Sequence, residues 1–364
     1  MTLLRKLHRW LGLLIGSVIF FTSLSGTILA FQQDLIRLSI PGETPVYRPT
    51  SDIMAAQALA QISGPDTRYV TFPQPGSNYF IHITAERQVY HHPQSFAPLE
   101  TRFAIPEILA FLSDLHIHLL AGHDGETVLG FIGLVLVFLI LGGLILWFPG
   151  RRGFQVKKSL PASLKRGALL HSHRSLGALS SLMILLLTLT GTGLVFYETS
   201  RTILHGLYLT PGPAPRRPPQ VTPVRNSAQQ PWSDILATVR QALPDGHITR
   251  YYAPDTAQTA TVRFRLRYPE DWTPNGGSYV EINPYTAAAL GVTDYRQAPP
   301  PDRLARKFFP LHAGHVGGML YQILIALSGV ALAMMIFTGI LAWLKSKKRA
   351  KLKPLRPQIL SKKP

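Results

Sequence analysis

The string His8-Arg9-Trp10-Leu11-Gly12 returns 165 positions later as His173-Arg174-Ser175-Leu176-Gly177. At a second spacing, 196, Leu115-His116 meets Leu311-His312. Of the 13 histidines, only these four recur as pairs. His171, His118, His123, His315 and His205 lie near the same apolar stretches without a mate, and His82, His91, His92 and His247 lie far from them. An imidazole ligates metals, haem iron among them, and carries protons. A single histidine beside an apolar run is ordinarily an interfacial hydrogen-bonding group. Two pairs at repeated places favour ligation instead.

The elements that must carry these residues are four apolar runs, Leu11–Phe31, Val128–Phe148, Leu176–Tyr197 and Met319–Leu344. Each supplies the ~20 apolar residues that a ~30 Å hydrocarbon core requires of a helix. The first follows Arg5, Lys6 and Arg9 but is too long for a cleaved signal and lacks a small-residue cleavage site, so it reads as an anchor. The chain has a net charge of +18. Residues 1–10, 149–175 and 344–364 carry three, seven and nine basic side chains and no acid, and together they account for the whole excess. Basic segments abutting apolar spans follow the positive-inside pattern, which argues against a nucleic-acid partner and for a protein whose solvent is the lipid bilayer. Both termini and the 149–175 loop are thus expected in the cytoplasm. Without cysteine, the outside segments have neither disulfides nor thiol chemistry.

The repeat extends beyond the histidines. The 165 shift carries Ser25-Gly26-Thr27 onto Thr190-Gly191-Thr192, and the 196 shift carries Gly133 onto Gly329 and Gly143…Trp147 onto Gly339…Trp343. At 182, Ser51-Asp52-Ile53 falls on Ser233-Asp234-Ile235 and Arg68-Tyr69 on Arg250-Tyr251. The expected fold is an α-helical membrane protein with four transmembrane helices in two parallel repeats, each carrying an extracytoplasmic α+β domain. The outside domains are placed at 32–115 and 198–311, with outer helical extensions from 116 and 312 leading into the second and fourth spans. Each begins with a short amphipathic helix (Asp52–Ile62; Ser233–Leu243). Three strands follow: Arg68–Phe72, Tyr79–Thr84 and Gln88–His92 in one, Ile248–Ala253, Thr261–Arg267 and Ser278–Asn283 in the other. A helix on a small sheet, twice, is the economical arrangement. Pro211–Pro231 reads as an extended linker and 345–364 as a basic tail.

The run Tyr279-Val280-Glu281-Ile282-Asn283-Pro284-Tyr285-Thr286 resembles the last strand and turn of a PepSY domain, with Asn283 in place of the usual Asp. The first copy, His91-His92-Pro93, departs further. His-Arg-x-x-Gly at the first and third spans and Leu-His before the second and fourth resemble the PepSY-associated transmembrane family. That resemblance implies PepSY-like outside domains. It also implies likeness to inner-membrane iron-uptake proteins, including dihaem reductases of ferric siderophores.

On the residues themselves, two spans related by a pseudo-twofold would bring one histidine to each face of a haem. His8 and His173 would clamp an inner haem b, and His116 and His312 an outer one. Gly26 lies 18 residues after His8, five turns on and ~27 Å away on the same helix face, as Gly191 does after His173. These small residues leave room for a flat ring. His171, His315 and His118 are alternative ligands or neighbours of the ligands, with His123 open to the same roles. Arg9 and Arg174 suit haem propionates, although membrane-flanking charge alone explains Arg174. Arg263, Arg265 and Arg267 alternate along one strand face; they could grip an anion, but a solvated face is the simpler reading. The expected function is electron transfer across the membrane, and the resemblance implies a ferric siderophore as the acceptor. No flavin or nicotinamide motif is present, so quinol or a soluble reductase would be the donor. The alternative is a non-enzymatic anchored module that binds peptide or regulates a partner. Spans without internal charges weigh against a transporter.

Overall fold

A computed structural model describes residues 2–40, 50–213, 219, 221, 228–254 and 260–351. The tail from 352 and most of the expected Pro211–Pro231 linker lie outside the described residues. In chain order the helices are α1 (Thr2–Leu29), α2 (Gln32–Ser39), α3 (Asp52–Ile62), α4 (Ile105–His118), α5 (Gly122–Trp147), α6 (Arg166–Val195), α7 (Tyr197–Leu207), α8 (Trp232–Ala242), α9 (Pro300–Arg306), α10 (Phe308–Ala313) and α11 (Gly318–Lys351). The strands are β1 (Thr67–Thr71), β2 (Phe80–Thr84), β3 (Gln88–His91), β4 (Pro98–Leu99), β5 (His247–Tyr252), β6 (Val262–Arg267), β7 (Ser278–Ile282) and β8 (Ala289–Thr293). The chain divides into two compact units, one of residues 1–28, 113–192 and 323–364, the other of 29–112 and 193–322.

The first unit is built on α1, α5, α6 and α11, each long and apolar enough to cross a membrane. Ile15, Ile19 and Leu139 form its core with Leu332 and Ile336 against them. Gly16 lets α11 approach, since a Cβ there would stand 3.3 Å from Ile336. Two boundaries differ from the sequence reading. α1 and α6 begin at Thr2 and Arg166, because Leu, Arg and Lys are good helix formers and carry the helix past the apolar run. His8 and His173 therefore lie roughly two turns inside their helices, not at the ends. The outer extensions of the second and fourth spans are separate helices, α4 and α10. Left-handed backbone breaks both junctions, at Leu119, Leu120 and Gly122 after α4, and at Gly314, Gly317 and Gly318 after α10.

The second unit is an eight-stranded antiparallel sheet in the order β4-β3-β2-β1-β5-β6-β7-β8. The six expected strands fall on β1–β3 and β5–β7. The short β4 and the Ala- and Gly-containing β8 carry weak strand signals and were not foreseen. The two segments expected outside the membrane do not form two separate sheets. β1 and β5 pair antiparallel, with Tyr69 opposite Tyr252 and Thr71 opposite Arg250. This pairing closes two edges that would otherwise stand open. It also merges two small apolar faces into one core, in which Ala58, Leu59, Val70 and Phe80 pack with Ile235, Val239, Phe264 and Val280. α3 and α8 cover that face. Ser51 caps α3, its hydroxyl accepting from the Met54 N–H. Arg240 on α8 forks onto Asp52 of α3 at 2.8 Å and 2.7 Å. On the opposite face, a second cluster of Ile36, Ile40, Tyr79, Tyr90 and Leu109 covers β2 and β3.

Candidate functional site

A cavity of about 430 Å³ opens among the four spans, within the size range of cofactor sites. His8 of α1 and His173 of α6 both line it, with ring centroids 6.2 Å apart and planes at 89°. Two imidazoles bound to one metal atom through ~2 Å bonds can have ring centres ~6 Å apart, so this separation suits a metal held between them.

Neighbouring helices set the two rings. His173 Nδ1 lies 2.8 Å from the Met335 carbonyl on α11. A carbonyl only accepts, so Nδ1 carries the proton and Nε2 keeps the lone pair that a metal needs. Gly339 clears the space, since a Cβ there would stand 3.3 Å from His173 Nδ1. His8 rests on Gly143 of α5, where a Cβ would stand 3.2 Å from its Cε1. Leu139 is the neighbour of His8 as Met335 is of His173, but without hydrogen-bond geometry, and His8 Nδ1 is buried without a partner among the described residues. Leu139 and Gly143 stand 196 positions before Met335 and Gly339.

The walls are apolar and opened by Gly12, Gly16 and Gly177, while Arg5, Arg9, Arg166 and Arg174 also line the cavity and, among the described residues, no carboxylate does. The donor set fits a haem: two imidazoles 6.2 Å apart, apolar glycine-lined walls, and guanidiniums for two propionates. Among the described residues no three His, Asp or Glu side chains converge, so a bare metal ion would find few protein ligands here.

The remaining residues singled out from the sequence are placed as follows. His116, on α4, has its Nδ1 2.8 Å from the Thr22 carbonyl and 3.3 Å from Ser25 Oγ. Gly26 lies beneath it, where a Cβ would stand 2.7 Å from His116 Cε1. Burial holds this imidazole below its ordinary pKa against the opposing bond to Thr22, and so favours its neutral form. His312 is half-buried on α10 and Gly191 half-buried in α6. His315 stacks 5.3 Å from Phe309, and burial lowers its pKa too. His118 is paired with Asp114 at 2.8 Å and His123 with Glu126 at 3.4 Å, both near the surface. His171 is exposed and does not line the cavity. The structure thus gathers His8, His173, Arg9 and Arg174 in one place, and His116 with Gly26 in another. Sequence reasoning missed Arg5, Arg166, Gly143 and Gly339 as parts of the first site. The repeated Gly…Trp spacing was the available signal for the two glycines.

Four apolar helices joined to an antiparallel sheet with helices packed on it define a polytopic membrane protein with an extramembrane α+β domain. The model of a family described as the PepSY-associated TM region matches residues 5–346, and the chain belongs to that family. No curated protein matches the chain.

Proposed function

We propose that this protein is a haem-b electron carrier of the bacterial inner membrane that reduces an extracytoplasmic acceptor, a ferric siderophore. The observation that carries the reading is the His8–His173 pair facing one glycine-walled cavity at 6.2 Å. A haem bound there would supply a one-electron iron couple. The chain's own residues would do the rest. His8 and His173 would hold its iron, with the Met335 carbonyl fixing the His173 tautomer. Arg9 and Arg174, joined by Arg5 and Arg166, would neutralise propionates, and the apolar walls would keep water from the metal. His116 and His312 are proposed as ligands of a second haem on their recurrence in the sequence. Electrons would come from quinol or a soluble reductase on the cytoplasmic side, where the positive-inside pattern would put the basic segments and both termini. One-electron reduction of Fe(III) weakens its hold on hard oxygen donors and releases the iron.

A visible spectrum of the purified protein from haem-replete cells tests this. Soret and alpha bands that shift on reduction, with acid-extractable haem at two per chain, are expected. Absence of these bands would leave the alternative, a membrane-anchored module that binds peptide or regulates a partner.

A further inference from the structure

The sheet face away from α3 and α8 carries a cluster that sequence alone assigns to solvent. Val262, Phe264 and Leu266 of β6 enter the core, so Arg263 and Arg265 stand on the other side. In register beside them are Arg250 and Tyr252 on β5, Tyr69 and Thr71 on β1, and Tyr279 on β7. Each guanidinium lies over a tyrosine ring: Arg250 at 4.5 Å from Tyr69, Arg263 at 4.6 Å from Tyr252, and Arg265 at 5.4 Å from Tyr279. Hydrogen bonds hold two of them, from Arg250 Nε to Thr71 Oγ1 at 3.0 Å and from Arg265 Nη2 to the Gly276 carbonyl at 2.7 Å. All three are half-buried rather than free in solvent.

Three fixed guanidiniums on adjoining strands repel one another, and among the described strand residues the carboxylate of this face is Glu281, opposite Arg263. Arg263 Nε is buried without a hydrogen-bond partner among the described residues, a donor placed in the cluster with no acceptor. Burial alone would raise the Tyr252 hydroxyl pKa, yet Arg250 and Arg265 outweigh it and hold that pKa below its ordinary value. The face therefore favours negative charge.

We infer that this Arg–Tyr face of the sheet binds a multiply charged anion that presents several carboxylate or catecholate oxygens. Stacking fixes each guanidinium plane and leaves its edge to fork onto paired oxygens. The inference rests on the ferric-chelate reading and narrows it to anionic chelates over neutral ones.

Gallium(III) complexes separate binding from reduction, because gallium is redox-inert. The full-length protein in zwitterionic nanodiscs is titrated with a trianionic gallium tris-catecholate and with a neutral gallium tris-hydroxamate. The trianion should bind, weaken as salt rises, and lose ~10-fold or more in the R250Q/R263Q variant, whereas the neutral complex should show no dependence on either arginine. R263K, which keeps the charge and loses the planar fork, should fall between. It also carries the test if the double variant fails to fold. Unchanged trianion affinity in a folded variant, or equal affinity for the neutral complex, would overturn the site. So would phosphatidylglycerol vesicles capturing the face while the trianion does not bind. Loss of binding with the haem spectrum intact counts for this site, and a protein without haem that still binds the trianion defeats only the reductase reading.

Discussion

His173 takes its place from Gly339: its Nδ1 reaches the Met335 carbonyl at 2.8 Å, and one turn further along α11 the missing side chain of Gly339 leaves the ring its room. Gly143 stands in the same relation to His8. His173 is thus aimed by a backbone carbonyl and both imidazoles by absent atoms, which is why glycine substitutions probe the site more sharply than changes at its charged rim.

Gly143→Val and Gly339→Val should each displace one imidazole and convert or remove the same low-spin haem signal, as His8→Ala and His173→Ala should. Gly167→Ala is the control, because Gly167 is exposed, does not line the cavity, and a Cβ there meets nothing within 4 Å. Optical and EPR spectra of the four variants, with helical content followed by circular dichroism, decide the matter. An intact spectrum in G143V and G339V would remove His8 and His173 as ligands.

Gly26→Ala should act on the other histidine. Its Cβ would stand 2.7 Å from His116 Cε1, so the ring must leave the Thr22 carbonyl. Overpacking of this kind costs ~1–3 kcal/mol. The spectral change should match that of His116→Ala and spare the signal lost in H8A; a change confined to the H8A signal would contradict this.

The sheet unit should weaken as pH falls through the histidine range. Burial lowers the pKa of His82, His91 and His247; for His82, His91 and Arg87 add to this, and for His247, Arg240 and Arg267 do. Bonds from His91 to the Phe96 carbonyl and from His247 to the Pro73 carbonyl oppose the shifts without reversing them. The unfolded chain then takes up protons at about pH 6.5 while the folded one does not, so stability is whole above that pH and lost below it. Denaturation midpoints between about pH 8 and 5 measure the slope. His82→Gln should flatten it, and a slope of opposite sign would refute the account.

Arg240 and Asp52 tie α8 to α3 with a forked pair, and Arg240 also donates to the Gly246 carbonyl. Asp52 is partly exposed, so screening limits the pair. A double-mutant cycle on R240A and D52A should return a coupling of ~1 kcal/mol that shrinks with salt. Zero coupling at low salt would mean the two helices are held by their apolar faces alone.

Much of this protein follows from local pattern. Twenty-residue apolar runs admit one solution in a bilayer, so the four spans could be read directly. The amphipathic helices Asp52–Ile62 and Ser233–Leu243 and the alternation in Thr261–Arg267 depend on period, which a single segment carries. The recurrence of His8 at His173 named the two residues that the fold brings to one cavity. What the chain could not state by itself is which segments meet. Joining β1 to β5 turned two expected sheets into one, because open edges and thin apolar faces are costs that only a partner strand removes. The glycines that seat His8 and His173 lie 135 and 166 residues from them, on other helices, and a missing side chain signals nothing until its neighbour is known. Arg263 and Arg265 likewise look like a solvated strand face until Tyr252, Tyr279 and Arg250 arrive from neighbouring strands and make the charge a shared one.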